Sequence, residues 1–271
     1  MHRIFLLRAY GDFVILLQAI IRSKDKDNYQ LVASKHLEEL YHALNKKLNL
    51  EGVNIQFVDF GISKNQLGLF TNKHFLRTGT LQEAKLIKKY MLSNPNNGGV
   101  EYIEQDKRIG LLIVLTGQHF KAIVFDKPIY ETYDAFFNNK STNEYTASSK
   151  VNKVVLFPDS RLLKKNIPTS VIKRIQEQLA EKKIELQMAY FKNKLQASDL
   201  IYHNFETLIQ IIEEADFVIG ADSLPVHICN LMQKPHYILY PTGYNQLFMT
   251  PFVKLNKLFG QFDHFDLSII Q

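Results

Sequence analysis

Short runs of consecutive apolar residues alternate with longer amphipathic stretches along most of this chain. An unbroken apolar run suits a strand buried on both faces, and parallel sheets with helices packed on both sides bury strands in that way. The alternation therefore constrains the chain to strand–helix–strand units. Ile4 to Leu7 is the first such run. Phe13 to Ile21, apolar almost all round, predicts a helix packed deep against a sheet. Tyr29 to Ala33 and Val53 to Phe57 predict two more strands, and Ser34 predicts an N-cap for a helix carrying Leu37, Leu40, Tyr41 and Leu44. Leu81 to Leu92 reads as a helix stopped by Asn94-Pro95-Asn96-Asn97-Gly98-Gly99. Leu111 to Leu115 and Ala122 to Phe125 have the length and composition of strands.

Residues Asn138 to Asn152 interrupt this pattern: they are polar, rich in Ser, Thr and Asn, and read as a linker. The alternation then resumes. Val154 to Phe157 predicts a strand, Val171 to Leu179 an amphipathic helix, and Ile184 to Met188 a strand. Asn204 caps a helix with Phe205, Leu208, Ile209 and Ile212 on one face. Phe217-Val218-Ile219 reads as a strand, Gly220 to Ser223 as a turn, Leu224 to Met232 as a helix and Tyr237 to Tyr240 as a strand. The fold class expected is α/β, with two doubly wound Rossmann-like parallel sheets at 1–145 and 146–271 and a cleft between them. Roughly the last 20 residues are expected to pack back on the first domain.

The composition, 46% hydrophobic and 22% charged over 271 residues, allows a sizeable core and excludes disorder for the bulk of the chain. A single cysteine, Cys229, excludes an intrachain disulfide framework and a cysteine-built zinc site. No apolar stretch approaches the ~20 residues of a membrane span, and the apolar run after Met1 is too short for a signal peptide. A cytoplasmic location is expected. The formal charge of +6 favours anionic partners, including the inner membrane surface, where peripheral contact is expected. Nucleic acid is not expected, because no basic stripe interleaved with aromatics is present.

Three strand–helix junctions carry polar groups, and in such sheets ligands bind at strand carboxyl ends near helix N-termini. The first is Gly11-Asp12: glycine tolerates a tight turn, and the aspartate stands at a helix start. The second is Pro158-Asp159-Ser160-Arg161 with Lys164-Lys165, where hydroxyl, guanidinium and ammonium groups can hold a diphosphate. The third is Gly220 to His227. There Ser223 can cap the helix, the amides of Ser223 and Leu224 offer an anion site, and Asp222, just outside, can accept from sugar hydroxyls. His227 lies one turn further on and can face the same ligand. Taken singly, Asp12 reads as a cap, the second junction as a polar loop and His227 as a core residue. Asp222 and His227 lack a third ligand of suitable spacing for a metal.

In this order the three junctions resemble the ADP-heptose:lipopolysaccharide heptosyltransferases, glycosyltransferase family 9, with the GT-B fold. The resemblance is clearest over Ala215 to Thr242, where the family has a strand, an Asp-Ser/Thr-Gly-x-x-His turn, a helix and a strand. It extends to Val154–Pro168 and Arg8–Gln18. It implies an inverting, metal-independent transfer of heptose or a related sugar from a nucleotide-diphosphate donor, ADP-heptose among the candidates, to a lipopolysaccharide or other glycan or glycolipid acceptor. It implies no cofactor besides the donor. By position it makes Asp12 the catalytic base, and Gly11, Ser160, Arg161, Lys165, Asp222, Ser223, Leu224 and His227 the binding set. Leu224 stands where the family has glycine, and Ile167 where it has an aromatic residue. A catalytically inactive binding or scaffold protein is therefore the first rival. An epimerase or hydrolase drawing on His119, Asp126 or Glu131 is the second.

Overall fold

The strands of the first half all run the same way. The computed structural model describes residues 1–7, 10–61, 78–104, 109–139, 150–160, 162–192, 199–244 and 246–270. The chain divides into two units, Met1–Lys140 and Ser141–Gln271. In the first, β1 (His2–Leu6), β2 (Tyr29–Ser34), β3 (Ile55–Val58), β4 (Glu101–Glu104) and β5 (Lys121–Ile123) form a parallel sheet ordered β3-β2-β1-β4-β5. The helices are α1 (Tyr10–Arg22), α2 (Glu38–Leu48), α3 (Thr78–Ser93), α4 (Ile109–Thr116) and α5 (Ile129–Phe136). Side chains alternate across the sheet. Phe5 and Ile103 join Ile87, Tyr90, Met91 and Phe120 in a core on one face. Tyr102 and Glu104 point to the other face, where Tyr102 meets Phe136 of α5 at 5.0 Å and Glu104 accepts the Tyr133 hydroxyl.

Two expectations for this unit change. Leu111 to Leu115 lies in α4, not in a strand. A short apolar run carries no period that separates strand from helix. Gly117 at φ +63°, whose amide reaches Ile113 O at 2.7 Å, supplies a helix stop. Ser34 does not cap a helix: a 3-10 turn over Lys35–Leu37 intervenes before α2, and the Ser34 hydroxyl pairs with His36 Nδ1 at 3.0 Å. Strand β4 and helix α5 carry no strong sequence signal, β4 because charged residues stand at both ends of Glu101-Tyr102-Ile103-Glu104.

The second unit is built from β6 (Lys153–Phe157), β7 (Glu185–Phe191), β8 (Leu200–Tyr202), β9 (Phe217–Ala221), β10 (His236–Tyr240) and β11 (Phe259–Gln261). They form a parallel sheet ordered β11-β10-β9-β6-β7-β8. Helices α6 (Thr169–Glu181), α7 (Phe205–Glu214), α8 (Leu224–Leu231) and α9 (Pro251–Asn256) complete it. Asn204 caps α7 as expected, accepting from Thr207 N at 2.8 Å. The core joins Val154, Leu156, Ile175, Leu179, Ile219 and Val226, all fully buried.

The C-terminal residues Phe265, Leu267 and Ile270 belong to that same core. One face of α6, at i, i+4 and i+8, holds them. The Arg174 guanidinium lies 4.5 Å from the Phe265 ring, Gln178 accepts from Leu267 N at 3.2 Å, and Lys182 donates to the carbonyls of Leu267, Ser268 and Ile270 at 3.0, 2.7 and 2.6 Å. Lys182→Met is expected to loosen this segment by about 1.5 kcal/mol, the low end for charge-assisted bonds. Native-state amide exchange checks it: the amides of Leu267 to Ile270 should speed up while those of α6 stay unchanged.

Candidate functional site

The order of the second sheet reverses between β6 and β9, because the chain leaves β6 toward β7 and β9 toward β10. The crevice outside the carboxyl ends of two such strands is where open parallel sheets bind ligands. Phe157 and Gly220 are register partners at that end, so the loops that follow them are neighbours. Residues Pro158 to Ile167 form the first loop. It closes on itself through Ile167 N to Pro158 O at 2.8 Å and Ser160 N to Asn166 Oδ1 at 2.8 Å. A 3-10 turn, Leu163–Lys165, then aims Lys165 inward. The second loop is only Asp222-Ser223, since β9 continues through Gly220 and Ala221, which the sequence had suggested as turn. A Cβ at Gly220 would meet Val226 at 3.0 Å, so glycine there lets α8 pack close to the sheet.

Lys165 Nζ donates to Asp222 Oδ2 at 2.8 Å and to the Asp222 carbonyl at 3.1 Å. His227 Nε2 lies 3.4 Å from the other carboxylate oxygen. Asp222 and His227 are 5% and 4% exposed, so this carboxylate is taken out of water and held by the chain's own basic groups. Burial alone would raise the Asp222 carboxyl. The hydrogen bond and charge of His227, with those of Lys165, outweigh it and hold the group below the ordinary carboxylate range. Burial alone would lower the Lys165 ammonium. The charge and hydrogen bond of Asp222, with a hydrogen bond to Tyr244, raise it above the ordinary lysine value. Lys165 Nζ also stands 4.8 Å from the Tyr244 ring centroid and 5.7 Å from that of Phe248.

Lys165, Asp222 and His227 thus meet, with Ser223 and Leu224 next in the chain. Asp222, expected to accept from sugar hydroxyls, is turned inward onto Lys165. Ser223 occupies the N-cap position of α8 with extended backbone, φ −156°, yet its side chain makes no cap bond. Its hydroxyl donates back to Ala221 O at 3.2 Å. The first-turn amides of α8 are therefore left to another acceptor. Leu224, half-buried, is the first helical residue. Ser160 is half-buried and Arg161 lies outside the described residues. Gly11 and Asp12 belong to the first unit, and α1 begins at Tyr10, so Gly11 is in the first helical turn rather than in a loop before it. There Asp12 stands beside the switch of the first sheet, between β1 and β4, with buried Glu104 at the end of β4.

His119, Asp126 and Glu131 are all exposed. Among the described residues no group of three or more His, Cys, Asp or Glu side chains is placed to hold a metal ion, and no helix is long and apolar enough to cross a membrane. Sequence reasoning missed Tyr244 and Phe248. The available signal was Pro241-Thr242-Gly243-Tyr244, a turn directly after β10 in which Gly243 takes φ +73°.

No protein-family model matches the sequence, and no curated protein matches it. Solved structures do. The chain is similar to the E. coli heptosyltransferase WaaC with ADP, at 10% identity over 96% of this chain and 92% of that one, with a TM-score of 0.56. It is similar to E. coli ADP-heptose LPS heptosyltransferase II, at 11% identity over 96% and 90%, TM-score 0.56. A glycosyl transferase family 9 protein from Veillonella parvula DSM 2008 gives 11% identity over 92% and 82%, TM-score 0.57. Two parallel-sheet α/β units match the GT-B fold of those proteins.

Proposed function

We propose that this chain is a glycosyltransferase that takes its sugar from a nucleotide-diphosphate donor. One observation carries the reading: the Lys165 ammonium is held at the switch of the second sheet, beside the uncapped first turn of α8. A diphosphate needs such a cation and such amides. The shared fold with heptosyltransferases, one of them solved with ADP, supports a donor of the ADP-heptose type and a lipopolysaccharide or other glycan acceptor, reached at the inner membrane face. In this reading Asp12 takes the proton from the acceptor hydroxyl as its oxygen attacks the anomeric carbon. The bond from that carbon to the phosphate oxygen breaks on the opposite side, inverting the centre, and its electron pair leaves with the nucleotide diphosphate. Lys165, Arg161 and the amides at Ser223 and Leu224 stabilise the charge that builds there, in place of a metal ion. Asp222 and His227 act on Lys165, fixing its position, rather than on the sugar.

Leu224 favours a second reading, a binding protein without transfer, because it stands where the resembled family has glycine, at the helix start that the diphosphate must approach. Calorimetric titration with ADP-, GDP- and UDP-linked sugars tests both. One donor should bind, and Lys165→Met should weaken it at least tenfold, the value of one charge-assisted contact to phosphate. Absence of binding by every donor defeats the transferase reading.

A further inference from the structure

The first unit carries a second concavity, away from its switch. Helix α5 has 8 residues and sets Phe136 edge-on to Tyr102 of β4, while Lys121, at the start of edge strand β5, stays exposed. Lys121 of β5 is the register partner of Tyr102, so its side chain rises from the same face. The result is an open groove of about 450 Å³. Tyr29, Tyr102, Lys121, Asp126, Lys127 and Phe136 line it.

Its chemistry is unspent within the chain. Neither Lys121 nor Lys127 has a carboxylate partner among the described residues. Lys121 Nζ stands 5.9 Å from the Tyr102 ring centroid, a loose contact. The Tyr29 and Tyr102 hydroxyls, on half-buried rings, make no hydrogen bond to a described residue. Burial, the neighbouring Tyr102 and Asp25 together raise the Tyr29 phenol, so it remains a neutral donor. Rings with free hydroxyls suit the apolar faces and hydroxyls of a sugar, two ammonium groups against the single Asp126 carboxylate leave the lining net positive and suited to an anion, and the volume falls within the ~300–1,000 Å³ of small-molecule sites.

We infer that this groove is a second binding site, for a sugar ring bearing a phosphate or carboxylate. The ring lies against Tyr102 and Phe136, the phenol hydroxyls meet its hydroxyls, and Lys121 and Lys127 hold the anionic group. An anion-only site would not need the aromatic lining, and a neutral-sugar site would not need two unpaired lysines. The inference stands apart from the donor site, since it shares no residue with Lys165, Asp222 or the start of α8.

The test uses the full chain with alanine methyls labelled for NMR, because Ala122 and Ala135 line the groove. Glucose 6-phosphate and glucuronate are titrated as the two anionic sugars, with glucose and inorganic phosphate as controls. Saturable shifts at both methyls are expected with at least one anionic sugar, at a concentration at least tenfold below that needed for either control. The sugar that saturates first names the anionic group. Lys121→Met and Lys127→Met, both at exposed positions, should each weaken binding about tenfold. No saturable shift from either sugar, an equal response to inorganic phosphate, or unchanged affinity in both folded variants would overturn the inference. None of these outcomes bears on nucleotide-sugar binding at Lys165.

Discussion

Asp12→Ala is expected to lower turnover by about 10²–10⁴, the usual loss when a general base is removed. Donor affinity should stay close to the parent's, because in the proposed reading the groups that hold the donor belong to the second unit. The side chain stands in the first turn of α1, where the helix dipole favours its charge. Losing that interaction alone costs about 0.3–1 kcal/mol. The folded variant, checked by its melting curve, should bind donor yet transfer very slowly. Asp12→Asn, equal in shape, should lose as much. Wild-type kcat/KM should fall on the acid side as the base is protonated, and that limb should vanish in both variants. Near-normal transfer by either one removes Asp12 from the mechanism.

The fold was legible because burial on both faces writes itself into sequence. Ile4 to Leu7, Val154 to Phe157 and Phe217 to Ile219 are unbroken apolar runs, and each lies in or overlaps a central strand. Edge elements escaped for the converse reason. β8 and β11 have three residues each, too few for a period, and Leu111 to Leu115 gave an apolar run that fits either element. The site was legible as separate junctions but not as an arrangement. Lys165 and Asp222 lie 57 residues apart. They meet because β9 inserts beside β6, not beside its sequence neighbour β8, and no local pattern encodes that choice. The inward turn of Asp222 was hidden for the same reason, since its partner arrives from another loop. Tyr244, which completes the surroundings of the ammonium, follows β10, an element whose turn had no assigned role.

The second large effect is on stability. Asp222→Leu should cost about 3–5 kcal/mol, because removing one partner of a buried pair strands the other charge. Here the stranded group is Lys165, only 9% exposed, left with one carbonyl, the Tyr244 hydroxyl and two aromatic rings. The double variant Lys165→Met/Asp222→Leu should recover most of that loss, since apolar groups of similar volume replace a buried pair at little net cost. It should still fail to bind donor. The pH dependence follows from the two shifts. Asp222 is held below its ordinary value, so its contribution is complete above about pH 3.9 and is lost as pH falls through the lower folded value. Lys165 is held above its ordinary value, so its contribution is complete below about pH 10.4 and is lost as pH rises through the higher folded value. Below about pH 3.9 the gap between wild type and Asp222→Leu should close. Urea unfolding across pH measures this directly. A single variant as stable as wild type, or a double variant weaker than the single, would show that Lys165 does not depend on Asp222. The site would then lack the fixed cation on which donor binding is argued.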